Sequence, residues 1–298
     1  MRNLPVTVHE ALKAAVAQLR KAGVEDARLS AEVLIQRVLG VGKAYLYAHP
    51  DRVLTPEEER RIAEGVSRRA RREPLQYITG VVEFYGLELE VGPEVLIPRP
   101  ETEGLVERVL GWRSMWERPL IADVGTGSGA LAVALAHHWP GVRIVGIDVS
   151  PGAFQVASRN IWRHGVADRV TLVQGDLLFP LLDHKQRADI VVSNPPYIPS
   201  AEIEGLQPEV ARFEPRAALD GGGDGLAVYR RLFSQLPEVL ARPGAVAVEV
   251  GADQAGEVRR LLEESLRHVA GGAADVQMET GTDRDLAGIE RVVWGRFS

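Results

Sequence analysis

The chain has 298 residues, of which 45% are hydrophobic and 26% are charged, and it contains no cysteine. This composition is typical of a soluble globular protein, and it excludes disulfides, cysteine-ligated metal sites and thiol nucleophiles. The net charge of −6 is unevenly spread, since residues 1–80 are basic overall and the rest is acidic, which argues against strong binding along a nucleic-acid backbone. No stretch approaches the roughly 18 apolar residues of a membrane span, and the N-terminus lacks the apolar core of a secretory signal, so we expect a cytoplasmic protein.

Residues 1–78 predict a small helical domain. Thr7 and Glu10 have the spacing of a capping box and open a run of helically spaced apolar residues. A second run covers Asp26–Leu39 and ends at a glycine, and a proline directly after Thr55 marks the start of a third helix. These signals favour a helical bundle.

Residues 79–100 predict a β-hairpin linker. Two short segments, Val81–Tyr85 and Leu87–Val91, flank a glycine, and three prolines then keep the chain extended. A helix is expected from about residue 101 to 110, at the start of a third region that comprises residues 101–298.

From Pro119 onward, the chain alternates apolar strands with helices, which is typical of a mostly parallel α/β sheet. The predicted strands are 119–124, 142–147, 170–174, 188–193 and 245–250, and the predicted helices are 128–138, 151–163, 224–241 and 253–268. Two closing strands, 274–280 and 290–296, are expected to form an antiparallel hairpin at one edge. Seven strands that end in a hairpin are the layout expected of a Rossmann-like class I methyltransferase domain.

A glycine-rich turn follows the first strand of this sheet. Its spacing is G-x-G-x-G after an acidic residue, which differs from the G-x-G-x-x-G of dinucleotide sites. Glycines let the backbone approach a ligand, and the following helix start offers free N–H groups to an anion. The pattern suits S-adenosylmethionine, whose amino-acid end needs an anion site and a carboxylate partner. The candidate cofactor-binding residues here are Asp123, Gly125, Thr126, Gly127, Ser128 and Gly129.

Acidic residues also end the next two strands. Asp148 is placed to accept hydrogen bonds from ribose hydroxyls, and Asp176 could accept from an adenine amino group while Leu177 packs on the ring. Taken alone, each aspartate is better explained as a helix cap or a solvated turn residue. Their occurrence at successive strand ends favours a cofactor site.

The tetrad Asn194-Pro195-Pro196-Tyr197 follows the strand 188–193. It offers no acid, base or nucleophile, but an amide side chain, a fixed backbone carbonyl and flat apolar surface. These groups could hold a planar –NH₂ by both hydrogens, with the oxygen of Asn194 and the carbonyl of Pro195 as acceptors and Tyr197 packed on the plane. The pattern therefore predicts methylation of an amide or exocyclic amine nitrogen, and the alternative is a simple turn after a strand.

Several segments resemble the release factor glutamine methyltransferases, the protein-(glutamine-N5) methyltransferase family. The matching segments are PLQYITG (74–80), EFYG (83–86), LIPRPETE (96–103), DVGTGSG (123–129), SNPPYI (193–198), FEPRAALDGGGDG (213–225) and DLAGIERVV (285–293). The resemblance implies a helical N-terminal substrate-docking domain, a hairpin linker and a methyltransferase domain.

The same resemblance implies methylation of the glutamine side chain in the Gly-Gly-Gln motif of peptide chain release factors, with the tetrad binding that glutamine. It also implies that Asn194 contacts S-adenosylmethionine. Members of the family can carry an aromatic residue at position 177, where this chain has Leu177. The tetrad itself is shared with adenine and guanine methyltransferases, whereas LIPRPETE and FEPRAAL are more specific.

Three alternatives remain open at this point. The first is a methyltransferase that acts on the N6 of adenine in nucleic acid, which would flip the base into the same tetrad. The second is glutamine methylation of a ribosomal protein, with association with the ribosome. The third is a binding protein that keeps the fold without chemistry, against which the intact Asn194 argues. No spacing of histidine and acidic residues predicts a metal site.

Three further features have no assigned role. We expect the basic run Arg68–Arg72 to be a solvated helix face, the alternative being that it docks an acidic protein face or ribosomal RNA. Arg99 either lines the pocket or pairs with a carboxylate such as Glu101. The glycines of 221–225 predict a flexible turn that could act as a mobile lip over the site.

Overall fold

The structure is a computed structural model that describes residues 5–270 and 277–297. The helices are α1 (Val8–Lys21), α2 (Ala27–Leu39), α3 (Lys43–Ala48), α4 (Pro56–Ala70), α5 (Leu75–Thr79), α6 (Glu103–Gly111), α7 (Ala130–His138), α8 (Pro151–Arg163), α9 (Phe179–Asp183), α10 (Pro208–Phe213), α11 (Ala227–Val239) and α12 (Ala255–Ala270). The strands are β1 (Val81–Phe84), β2 (Leu87–Glu90), β3 (Leu120–Val124), β4 (Arg143–Asp148), β5 (Val170–Gln174), β6 (Ala188–Ser193), β7 (Leu240–Glu249), β8 (Met278–Arg284) and β9 (Glu290–Phe297).

These elements form two compact units. The first contains the described residues up to Gly80 together with Gln207–Phe213, and the second contains Val81–Leu206 and the described residues from Glu214 onward. The segment that contains α10 therefore belongs to the helical unit, although in sequence it lies between the two segments of the second unit. The domain boundaries that we expect from the sequence stay a prediction.

The first unit is helical, as the sequence predicts. The expected capping box at Thr7 is present at the start of α1, and a second capping box, formed by Thr55, is present at the start of α4. Each cap satisfies backbone N–H groups that a helix start leaves unpaired. The apolar faces of α1, α2 and α4 meet in one core, in which Leu19, Ile35 and Val66 are among the buried residues.

The expectation that the run Arg68–Arg72 is a solvated helix face is wrong for Arg69 and Arg72. Arg69 is only 6% exposed, and it forms ion pairs with Asp26 (3.0 Å) and Glu209 (2.7 Å). Arg72 donates to both carboxylate oxygens of Glu209, each at 2.7 Å. The two arginines therefore hold α10 within the helical unit.

The ionisation of Glu209 reflects this pairing. Burial acts to raise the pKa of its carboxyl group, but hydrogen bonds from Arg72 and Arg69 outweigh burial and lower the pKa to about 2. Arg68 pairs instead with Glu73, and Arg71 is the exposed member of the run.

The second unit contains the predicted hairpin and the predicted seven-stranded sheet. The strand order is β5-β4-β3-β6-β7-β9-β8, with β1 and β2 paired separately. The five strands from β3 to β7 run parallel, and β9 and β8 close one edge antiparallel. The predicted architecture is confirmed: this is a Rossmann-like α/β sheet that ends in an antiparallel hairpin.

Helices cover both faces of this sheet, so the central strands are buried on both sides. One face packs against α11 and α12, with Tyr229 and Leu262 fully buried. The opposite face packs against α6 and α7, with Leu105 and Leu135 fully buried. Strands covered on both sides read as continuous apolar runs, which is why the sequence reveals them.

Some predicted boundaries shift. The first closing strand is β8 (Met278–Arg284) rather than 274–280, and residues 274–276 lie outside the described residues. Strand β7 begins at Leu240, where we expect the preceding helix to continue. Within residues 5–270 and 277–297, no helix has the length and apolar character needed to cross a membrane.

Candidate functional site

A cavity of about 400 Å³ lies in the second unit, beside the carboxyl ends of the parallel strands β3 to β6. The chain passes from β3 to β4 and β5 on one side and returns to β6 on the other. Such a reversal leaves a crevice at the strand ends, where α/β sheets bind ligands. The predicted site residues that line the cavity are Gly125, Thr126, Gly127, Ser128, Asp148, Asp176, Leu177, Asn194 and Pro196.

The glycine turn forms one wall of this cavity. Gly125, Gly127 and Gly129 all have positive φ angles, of 72°, 56° and 79°, which glycine adopts without steric cost. At Gly129 an added Cβ would also lie 3.2 Å from the Cβ of Ala157. The turn leads directly into α7, whose first residues, Ala130 and Leu131, line the cavity. The start of a helix is a favourable place for an anionic group.

Asp123 does not line the cavity, but it is bonded to Thr126, which does. The Thr126 hydroxyl donates to Oδ2 of Asp123 at 2.6 Å, whereas Oδ1 is buried without a hydrogen-bond partner. Burial raises the pKa of Asp123 to about 7, against the lowering effect of the Thr126 hydrogen bond. A buried carboxylate oxygen without a partner fits a ligand that carries a positive charge. The carboxylate of Asp123 therefore suits the positively charged amino group at the amino-acid end of S-adenosylmethionine.

The two aspartates at the next strand ends both line the cavity, with different partners. Asp148 accepts from the backbone N–H of Gly127 and of Ser150, each at 2.9 Å. Asp176 forms an exposed ion pair with Arg231, which also lines the cavity. The sequence does not single out Arg231, because it lies within an amphipathic helix, α11, and belongs to no motif.

Asn194 is hydrogen-bonded to Thr102, and Thr102 in turn is hydrogen-bonded to Glu249. The Nδ2 of Asn194 donates to the Oγ1 of Thr102 at 3.0 Å. The Thr102 hydroxyl donates to Oε2 of Glu249 at 2.5 Å, and the phenol of Tyr197 donates to Oε1 of the same carboxylate at 3.1 Å. A buried carboxylate at the end of β7 thus organises two residues around the strand end of β6.

The other three tetrad residues are placed differently with respect to the cavity. Pro196 lines the cavity beside Asn194, whereas Pro195 and Tyr197 are not among the lining residues. The Tyr197 hydroxyl is engaged by Glu249, and burial, followed by the charge of Glu249, raises its pKa. Contact between Tyr197 and the substrate therefore stays a prediction.

Glu249 is 1% exposed. Burial raises its pKa to about 7, while the hydrogen bonds from Thr102 and Tyr197 act in the opposite direction. Sequence reasoning missed Glu249 and Thr102. The signal for Glu249 was available, because it is an acidic residue at the end of an apolar strand, as Asp148 is.

Arg99 pairs with a carboxylate, which is the second of the two expected roles, but its partner is Glu214 rather than Glu101. Its Nη2 donates to Oε1 of Glu214 at 2.5 Å, and Oε2 accepts from the backbone N–H of Ile97. Burial raises the pKa of Glu214 although Arg99 opposes the shift. This pair connects the segments LIPRPETE and FEPRAAL, which contribute cavity residues Leu96, Pro98, Thr102, Pro215, Ala217 and Ala218.

The glycine segment 221–225 packs against the tetrad backbone. An added Cβ at Gly225 would lie 2.4 Å from the carbonyl oxygen of Tyr197, and one at Gly221 would lie 2.8 Å from its carbonyl carbon. The N–H of Gly221 donates to the carbonyl of Ile198 at 2.9 Å. These contacts tie the segment to the tetrad, and its role as a mobile lip stays a prediction.

Comparisons with known proteins identify the domain families of this chain. Residues 10–80 match the family described as PrmC N-terminal domain, and residues 121–213 match the family described as methyltransferase domain. Among solved structures, the hMettl16 catalytic domain in complex with MAT2A 3′UTR hairpin 6 has a TM-score of 0.52 and 19% identity, over 71% of this chain and 76% of that one. That likeness shows the fold alone.

Curated relatives are much closer in sequence. The release factor glutamine methyltransferase of Geobacter sulfurreducens is 46% identical over 291 residues, which cover 98% of this chain and 97% of the relative. That of Moorella thermoacetica is 46% identical over 256 residues, which cover 86% and 89%. The expected resemblance is confirmed: the chain belongs to the release factor glutamine methyltransferase family.

Proposed function

We propose that this protein transfers a methyl group from S-adenosylmethionine to the side-chain amide nitrogen of the glutamine in the Gly-Gly-Gln motif of peptide chain release factors. Family membership supports the reaction and the substrate. The observation that carries the chemistry is the orientation of Asn194, whose Nδ2 is bonded to Thr102 while the residue lines the cavity. Its Oδ1 is thereby left as an acceptor for a substrate N–H.

Different residues along the cavity would bind different parts of S-adenosylmethionine. The amino-acid end would be held by the glycine turn and the start of α7, with Asp123 supplying the buried carboxylate oxygen. Asp148 would accept from the ribose, and Leu177 with Asp176 would face the adenine. When bound, S-adenosylmethionine supplies a methyl group on a cationic sulfur.

The tetrad would hold the substrate amide. Oδ1 of Asn194 and the backbone carbonyl of Pro195 each accept one N–H of the glutamine, which orients the nitrogen lone pair for attack. The nitrogen would take the methyl group from the sulfur of S-adenosylmethionine, which would leave as the neutral thioether, and the amide would then release one proton. No base is needed before transfer, and orientation of this kind can lower a barrier by up to about 7–11 kcal/mol.

Pro196 and Pro215 give the cavity rigid apolar surface. Such surface excludes water, which favours a reaction in which the charge of the sulfonium is dispersed. We place the protein in the cytoplasm, where release factors act, and we expect neither sequence-specific binding to nucleic acid nor stable association with a membrane. Transient association with ribosomes is compatible with this substrate.

The test is a comparison of methyl acceptors. The purified protein is incubated with S-adenosylmethionine labelled in its methyl group and, in separate reactions, with a release factor, ribosomes or duplex DNA. We expect label in the release factor and none when its motif glutamine is replaced by glutamate. Label in a ribosomal protein or in adenine instead would contradict the proposed substrate.

A further inference from the structure

Asn194, Thr102 and Glu249 form a chain of hydrogen bonds. The chemistry of these groups determines which of them donates and which accepts at each step. An ionised carboxylate only accepts hydrogen bonds, so the Thr102 hydroxyl must be the donor in its hydrogen bond to Glu249. Thr102 has a single hydroxyl proton, and its oxygen can therefore only accept from Asn194. The carboxamide of Asn194 is then fixed with Nδ2 toward Thr102, and no hydrogen bond to Oδ1 is present among the described residues.

When Glu249 is protonated, the donor and acceptor roles along this chain of hydrogen bonds can reverse. A neutral carboxyl group can donate to Thr102, whose hydroxyl is then free to donate to the oxygen of Asn194. This arrangement turns the carboxamide and directs its –NH₂ toward the cavity. A donor would then stand where the substrate amide needs an acceptor.

The surroundings of Glu249 bring its ionisation into the working pH range. The charge of Glu101 raises its pKa and that of Arg291 lowers it. Two phenols contact the residue: Tyr197 donates to the carboxylate, and Tyr229 donates to the backbone carbonyl at 2.6 Å. Burial is the largest cause of the shift, and it sets the pKa at about 7.

We propose that Thr102 and Glu249 are positioning residues, which hold the carboxamide of Asn194 with its oxygen directed at the substrate –NH₂ whenever Glu249 is ionised. The proposal rests on the proposed function, because it assigns the acceptor role to Asn194. Neither residue needs to touch the substrate nitrogen. Their effect is on turnover through the orientation of one side chain.

The first test compares three variants for kcat, for the KM of each substrate and for binding of S-adenosylmethionine. Thr102→Val keeps the shape but removes the hydroxyl, and we expect kcat to fall about tenfold or more while cofactor binding changes little. Thr102→Ser restores the hydroxyl and should recover most of the rate. Ser265→Ala is the matched control, since it removes another buried hydroxyl, one that donates to the carbonyl of Phe233, and its kcat should equal that of wild type.

The second test is the pH dependence of kcat with both substrates saturating. The wild-type rate should fall as the pH drops through about 7, whereas Glu249→Gln should be slower and lack this decrease, because its side chain does not titrate. A Thr102→Val variant with wild-type kcat, or an unchanged acidic limb in Glu249→Gln, would overturn the proposal. A wild-type protein that methylates no release factor would instead refute the proposed function, so the two failures are distinct.

Discussion

Arg99 and Glu214 lie 115 residues apart in the chain, yet their side chains meet at 2.5 Å and connect two walls of the cavity. The Glu214 side chain is 1% exposed and that of Arg99 is 31% exposed. A buried carboxylate depends on its partner, because an unpaired charge in the interior is costly. The pair therefore fixes FEPRAAL beside LIPRPETE, and both segments contribute cavity residues.

Arg99→Ala should destabilise the protein by about 3 kcal/mol, because it leaves the Glu214 carboxylate buried without its cation. Glu214→Gln removes that charge, so adding it to Arg99→Ala should cost less than the two single changes together. Urea unfolding of the two single variants and the double variant gives the coupling energy. Strictly additive effects would show that the pair does not hold the cavity wall.

Gly225→Ala should cost about 1–3 kcal/mol and lower activity, because Gly225 has a φ of 74°. The new Cβ would also meet the carbonyl of Tyr197 at 2.4 Å and Nε2 of Gln254 at 2.5 Å. Gly223→Ala is the control from the same segment, since an added Cβ there meets nothing within 4 Å. Thermal unfolding and turnover are measured for both. Equal behaviour of the two variants would contradict the contact with the tetrad backbone.

Asp123→Asn tests the buried carboxylate of the cofactor site. Because the folded-state pKa is raised from 3.8 to about 7, the stability associated with this group is fully present below about pH 4 and is lost as the pH rises through about 7. Without cofactor, the variant should be more stable than wild type by up to about 4 kcal/mol at pH 8, and this advantage should shrink toward pH 4. The same change should weaken binding of S-adenosylmethionine.

The measurement is urea unfolding across this pH range, with Asp51→Asn as an exposed control. A stability difference between Asp123→Asn and wild type that does not vary with pH would show that Asp123 is not titrating in the folded protein.

Glu209→Ala should destabilise the helical unit by about 3 kcal/mol at neutral pH, because Arg69 and Arg72 lose their shared carboxylate. The pKa of Glu209 is lowered to about 2, so its contribution is present above about pH 5 and is lost as the pH falls through about 2. The difference in free energy of unfolding between variant and wild type should therefore become smaller at acidic pH. Glu59→Ala, at an exposed glutamate of α4, is the control, and equal losses in the two variants would rule out this role for Glu209.

Local signals in the sequence predict the sheet and much of the cavity wall. The glycine turn, Asp148 and Asn194 each follow an apolar strand directly, and parallel strands bring their carboxyl ends to one edge. Their positions directly after apolar strands are therefore enough to predict that they lie at one edge of the sheet.

The sequence does not reveal the partners that orient these residues, because the chain separation between them is large. Thr102 lies 92 residues before Asn194 and 147 before Glu249, and the contacts arise only when β6 and β7 pair and the segment before α6 packs against them. Arg69 is similar, since its carboxylate partner lies 140 residues away on α10. Periodicity assigns such an arginine to a helix face but not to a partner.

The most direct test of the central claim locates the methyl group within the substrate. A release factor is incubated with S-adenosylmethionine and either wild-type protein or Asn194→Ala, and the peptide with the Gly-Gly-Gln motif is fragmented in a mass spectrometer. We predict that wild type adds one methyl group to the glutamine side chain, and that Asn194→Ala binds the cofactor but leaves the peptide largely unmodified. A methyl group on any other residue, or full methylation by Asn194→Ala, would contradict the account.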